Sequence, residues 1–132
     1  MPIRDEIRII YILSSMESSK QTKCKLLISY FAEMLGCAFL ALSFNVCRPS
    51  ERPVTLGLTS FVMTQVLEPL GGGQFNPAVT IAMAIKMRDA DDPSNRLIPV
   101  LIKTLCQIIG TMLGCAGSML TMQLGFGKNI SE

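Results

Sequence analysis

Histidine and tryptophan are missing from this 132-residue chain, and its net charge is only +2. Without histidine there is no serine-histidine triad, no cysteine-histidine dyad and no histidine-containing zinc set. The five cysteines, Cys24, Cys37, Cys47, Cys106 and Cys115, form no C-x-x-C pair, and three of them lie in apolar tracts. A thiol in such a tract packs as a small apolar side chain. A charge balance so close to neutral gives a phosphate backbone no electrostatic hold, so a nucleic-acid partner is unsupported. The longest uninterrupted early apolar run, Ile9 to Leu13, is too short for the core of a cleavable signal peptide. With no catalytic constellation, metal set or cofactor motif left, the chain is read as a non-enzyme with no cofactor.

Charge is also scarce locally. Leu26 to Val46 holds 21 residues with one charge, Glu33; Val54 to Leu70 holds 17 with one, Glu68; Thr104 to Gly127 holds 24 with none. A bilayer core needs about 20 apolar helical residues, so the first and third tracts are long enough to cross and the second is marginal. A soluble domain of this size has too few polar helical faces to cover three such tracts. The expected fold is therefore an all-α membrane protein lying in a lipid bilayer.

The boundaries follow from turn formers and charges. Residues 1–25 form a polar, mixed-charge tail with Ile3, Ile7 and Ile10 at helical spacing, read either as a short helix on the membrane surface or as a partly disordered segment. Spans are expected over about 26–46, 54–70 and 97–120, a re-entrant element over 71–87, and a short end over 128–132. Arg48-Pro49-Ser50-Glu51-Arg52-Pro53 separates the first two spans, and Pro69 with Gly71-Gly72-Gly73 stops the second. Basic residues favour the cytoplasmic side. Arg4, Arg8, Lys20, Lys23 and Lys25 fall on the side of Lys86, Arg88 and Arg96 only if the segment between them enters the membrane and returns. Arg48, Arg52 and Lys128 then lie opposite, which places the N-terminus in the cytoplasm and the C-terminus outside. Lys103 sits just inside the third span, near the basic side.

The segment that must return is chemically specific. Gln74 to Ile85 is uncharged and too short to cross. Gly71 to Phe75 extended reaches ~16 Å, and a helix from Pro77 to Met87 returns ~16 Å, so Asn76 would stand near mid-membrane. Asparagine is a favoured N-cap and proline a favoured first helical residue. Asn76-Pro77 thus starts a half-helix whose positive dipole end faces the centre of the bilayer. The Asn76 amide can donate hydrogen bonds to a water or hydroxyl oxygen. Backbone carbonyls of Gly71 to Gln74 would line a polar path, the setting in which irregular backbone is tolerated at this depth.

Gly71-Gly72-Gly73-Gln74-Phe75-Asn76-Pro77-Ala78-Val79-Thr80 resembles the S-G-x-H-x-N-P-A-V-T signature of aquaporins and aquaglyceroporins. Ala32-Glu33-Met34-Leu35-Gly36 and Cys106-Gln107-Ile108-Ile109-Gly110 resemble that family's A-E-F-L-G and A-Q-x-x-G blocks. The resemblance covers roughly residues 26–124 and implies a single aquaporin-like half repeat of three spans plus one re-entrant half-helix. It also implies roles. Gly72, Gly73, Gln74, Asn76, Pro77 and Ala78 would line the pore, Glu33 and Gln107 would brace the loop, and Leu56 would stand at the outer selectivity filter. Gly36, Gly110 and Gly114 read as close-packing sites. Two local departures are Gln74 in place of histidine, and Glu68-Pro69 in place of glycine-histidine, where Glu68 is read as solvated at a helix end.

The family fold has six spans and two N-P-A loops in inverted repeats, whereas this sequence carries one such loop and none of the second-half arginine. One half cannot close a pore, and the basic-residue bias disfavours two copies inserted in opposite senses. The expected function is that of a channel half for water or small neutral solutes such as glycerol, working with a complementary half. The alternatives are a non-conducting protein that binds or modulates full-length relatives, and a small membrane enzyme or anchored interaction module.

Overall fold

In the computed structural model of the chain, the described backbone comprises residues 3–86 and 94–124 and is entirely helical apart from turns and one loop. Four α-helices occur in the order α1 (Ile3–Val46), α2 (Arg52–Leu67), α3 (Pro77–Lys86) and α4 (Ser94–Gln123), with a 3-10 turn at Glu68–Leu70. The end expected over 128–132 and the final residue of the expected half-helix, Met87, lie outside the described residues.

The first helix corrects one expectation. The tail over residues 1–25 is not a separate surface helix or an irregular segment; α1 begins at Ile3 and continues unbroken for 44 residues to Val46. The reason is local: no proline or glycine occurs between Ile3 and Leu35, so nothing interrupts the hydrogen-bond ladder. Its apolar part, Gln21–Val46, and the corresponding part of α4, Leu97–Gln123, are long and apolar enough to cross a membrane. They measure about 39 and 40 Å at 1.5 Å per residue.

The tract expected as the second span, 54–70, is occupied by α2 and the 3-10 turn together. Helix α2 has 16 residues, about 24 Å, and gives way to the 3-10 turn at Pro69, which has no N–H to continue the helical ladder. Gly71 then adopts a left-handed φ of 83°. Its N–H donates to the Glu68 carbonyl at 2.8 Å, and the Gly72 N–H to the Leu67 carbonyl at 3.0 Å. These bonds close the helix end with the positive-φ residue that glycine supplies most easily. Arg52, at the start of α2, places its guanidinium 4.7 Å from the centre of the Phe44 ring at the end of α1.

Helices α1 and α4 form the main packing, with α2 resting on α1 and α3 on α4. The α1–α4 contact is close because Gly110 and Gly114 present no side chain: a Cβ there would collide with the carbonyl oxygens of Met34 and Ala38. Burial runs opposite to that of a soluble protein. Among the described residues the buried polar side chains are Ser29, Glu33, Thr80, Gln107 and Ser118, while Leu27 is 71% and Met112 67% exposed. Large apolar side chains facing outward around a polar interior suit a surrounding of lipid rather than water.

Candidate functional site

The site is assembled around the irregular segment from Gly71 to Asn76, which joins the end of α2 to the start of α3. Three residues in or beside it hold positive φ: Gly71 (83°), Gly73 (108°) and Phe75 (45°). A positive φ at phenylalanine is uncommon and is held only when surrounding contacts over-determine it. Here they do. The Phe75 ring fills the space beside Gly36, where any Cβ would collide with it, and the Phe75 N–H donates to Glu33 Oε2 at 2.8 Å. The preceding N–H, that of Gln74, donates to Glu33 Oε1 at 3.1 Å. Two successive backbone donors thus converge on one carboxylate, a backbone nest closed on a side chain of α1.

Glu33 is completely buried and takes further partners from α4. Gln107 Nε2 donates to Glu33 Oε2 at 2.8 Å and to Thr80 Oγ1 on α3 at 2.9 Å. The Thr80 hydroxyl in turn donates to the Asn76 carbonyl at 3.1 Å. Lys103 Nζ stands 3.7 Å from Glu33 Oε1 and donates to the Gly71 carbonyl at 3.1 Å. Ser29 Oγ donates to that same carbonyl at 2.6 Å. One polar network therefore joins α1, the loop, α3 and α4. Gln107, expected to brace the loop, spans α1 and α3 and, among the described residues, reaches the loop through Glu33 and Thr80.

Asn76 ends the loop and caps α3. Its Oδ1 accepts the Ala78 N–H at 2.9 Å, and its carbonyl accepts the Thr80 N–H at 3.0 Å. The residue itself, with Pro77 and Ala78, is exposed, and its side-chain Nδ2 has no protein partner among the described residues. The expected line of free carbonyls needs one correction. The Gly71 carbonyl is occupied by Ser29 and Lys103, because its left-handed turn directs it toward α1 and α4; those of Gly72, Gly73 and Gln74 have no partner among the described residues. Leu56, the expected filter residue, belongs to α2. It lines an open cavity of about 430 Å³ together with Cys37, Phe44, Asn45, Phe75 and Thr111. Glu68 is exposed.

Sequence reasoning did not assign parts to Ser29, Thr80 and Lys103. Each carried a periodic signal: Ser29 precedes Glu33 by one turn, Thr80 follows Asn76 by one turn, and Lys103 precedes Gln107 by one turn. Among the described residues no cluster of histidine, cysteine, aspartate or glutamate could hold a metal ion.

A comparison with known proteins finds one informative relative. Over 104 residues the chain is 32% identical to nodulin-26 of Glycine max, an alignment covering 76% of this chain and 35% of that protein. The chain thus spans about a third of the length of this curated relative. No protein-family model matches the chain, and no solved structure matches it.

Proposed function

We propose that this chain, a distant homologue of nodulin-26 and through it of the aquaporin (major intrinsic protein) family, forms one wall of a passive channel for water or small neutral solutes, completed by a complementary half. The observation that carries the reading is the exposed, amide-bearing start of α3 at Asn76, held by a loop whose N–H groups are bound inward to a buried carboxylate. In this reading α2 with its 3-10 turn is the second span, the loop and α3 form a re-entrant pair, and Asn76 lies near mid-membrane. Helix α3 has 10 residues, about 15 Å and half the hydrocarbon thickness. Its positive dipole end disfavours cations, and the Asn76 amide donates to the oxygen of a passing neutral solute.

Replacing Asn76 with aspartate tests the assignment. Aspartate caps helices as well as asparagine does, so α3 is retained while the amide donors are exchanged for a carboxylate. In osmotic-shock measurements on vesicles carrying a conducting assembly, Asn76→Asp should lower water flux at least about tenfold, which requires only ~1.4 kcal/mol of added barrier. Unchanged flux would remove Asn76 from the pore. The exposed face of the loop also supports a second reading, in which the chain binds full-length relatives without conducting. Vesicles of the chain alone should then show no flux above that of lipid, and the chain should alter the flux of a co-reconstituted relative.

A further inference from the structure

We infer that Lys103 is a positioning residue: its ammonium ties the two ends of the Gly71–Asn76 loop together by bridging the Gly71 carbonyl and the Glu33 carboxylate. The proposal rests on the reading of that loop as the channel wall, and it assigns the control of loop position to a cation contributed by α4.

The geometry separates this role from the ordinary one. A lysine near the end of a span normally extends along the helix and leaves its ammonium in water. Lys103 does not. Its side chain is only 17% exposed, against 0% for Glu33, with Nζ 3.7 Å from Glu33 Oε1 and 3.1 Å from the Gly71 carbonyl. The two acceptors belong to opposite ends of the loop. Glu33 holds the distal end through the Gln74 and Phe75 N–H groups, and Gly71 begins the proximal end. The same ammonium therefore compensates a carboxylate withdrawn from solvent and satisfies a loop carbonyl that Ser29 alone would otherwise hold. A buried carboxylate without a counter-charge is costly, so the N–H donors around Glu33 are held most firmly when Lys103 is in place. Lys103 and Gln107 sit one turn apart on α4 and reach different oxygens of Glu33, so α4 grips the carboxylate from one face with a charge and an amide.

The experiment uses the full chain in lipid nanodiscs and reads amide hydrogen exchange in the peptide containing Gln74 and Phe75. Lys103→Met retains the apolar stem and removes the ammonium; exchange there should accelerate about tenfold, while the α4 backbone around Gln107 remains unchanged. Lys103→Arg should restore exchange to within about twofold of the parent chain. In a Glu33→Gln background, Lys103→Met should add little, because its main partner is already lost. If Lys103→Met does not yield helical protein, Lys103→Gln replaces it, with the same acceleration expected. Exchange unaffected by removal of the charge, an arginine variant as fast as methionine, or full additivity with Glu33→Gln would overturn the proposal. None of these readouts requires conduction, so a chain that carries no flux leaves the Lys103 result independently readable.

Discussion

Replacement of Glu33 with glutamine is an isosteric change whose cost can be worked from the bonds it breaks. The carboxylate accepts from the Gln74 N–H and faces Lys103 on one oxygen, and accepts from the Phe75 N–H and Gln107 Nε2 on the other. Glutamine has one acceptor oxygen. With that oxygen in the place of Oε2, the bonds from Phe75 and Gln107 survive, but the new NH2 points at the Gln74 N–H and the Lys103 ammonium. With the amide reversed, the Gln74 bond survives and the Phe75 N–H is orphaned. Gln107 can rotate to offer its Oε1, which has no partner, but then its Nε2 no longer reaches Thr80 as it does now. Every arrangement leaves at least one buried N–H unpaired and the lysine without a counter-charge. An orphaned buried donor costs about 1–3 kcal/mol, so ~2 kcal/mol is expected, roughly a thirtyfold rise in the population with the loop detached. Cys37 is a native reporter of that event, since it is buried and its Sγ faces the Phe75 carbonyl at 3.5 Å. In a chain retaining Cys37 as its single cysteine, thiol labelling of the micelle-solubilised protein should accelerate roughly thirtyfold in Glu33→Gln. Labelling within about threefold of the parent rate, with helix content unchanged, would refute the claim that Glu33 holds the loop.

Three further outcomes follow from packing and topology. Gly110→Ala places a methyl group against the Met34 carbonyl oxygen, forcing α1 and α4 apart; detergent-unfolding titrations should show a loss of about 1–3 kcal/mol. Gly57→Ala meets nothing within 4 Å and should raise stability by up to about 1 kcal/mol through helix propensity alone. Equal effects of the two alanines would argue that the α1–α4 contact is not close. From the distribution of basic residues, a tag appended at Glu132 should be reached by an impermeant label from outside intact cells; a tag protected there but labelled after permeabilisation would overturn the re-entrant reading.

Helix existence was legible in the chain because long uncharged tracts and their breakers are local signals. Pro69 and the three glycines announce the end of α2, and Asn76-Pro77 announces the start of α3. The continuity of α1 was harder to read. Its polar first 25 residues look like a tail by composition, yet they contain no helix breaker between Ile3 and Leu35, and the absence of a breaker decided the local structure. The site was legible in part. Glu33 and Gln107 stand out as polar residues in apolar helices, where each polar group demands a partner. The spacing of Lys103 one turn before Gln107 was legible, but its bond to the Gly71 carbonyl was not, because Gly71 is 32 residues away in the chain and is brought near only by the packing of α4 on α1. The positive φ of Phe75 was equally hidden, being imposed by Gly36 and Glu33 rather than by its own preference.

The arrangement of the loop sorts its polar groups by kind. The N–H groups of Gln74 and Phe75 turn toward α1 and end on Glu33; the carbonyls of Gly72, Gly73 and Gln74 and the Asn76 amide nitrogen are left without protein partners among the described residues. Each non-proline residue carries one backbone donor and one acceptor, so a loop that turns its acceptors one way requires something else to absorb the donors. A neutral side chain with one oxygen could not satisfy two N–H groups and an amide on one side of a helix. A carboxylate has two oxygens and the lone pairs for all of them, and its charge strengthens each bond. The presence of an acidic residue deep in an apolar helix thus follows from the loop's need for acceptors, and the lysine on α4 follows from the charge those acceptors carry. Removing the charge from either partner should therefore loosen the same two amides, while the cap at Asn76 and the Gln107–Thr80 bond still hold the start of α3.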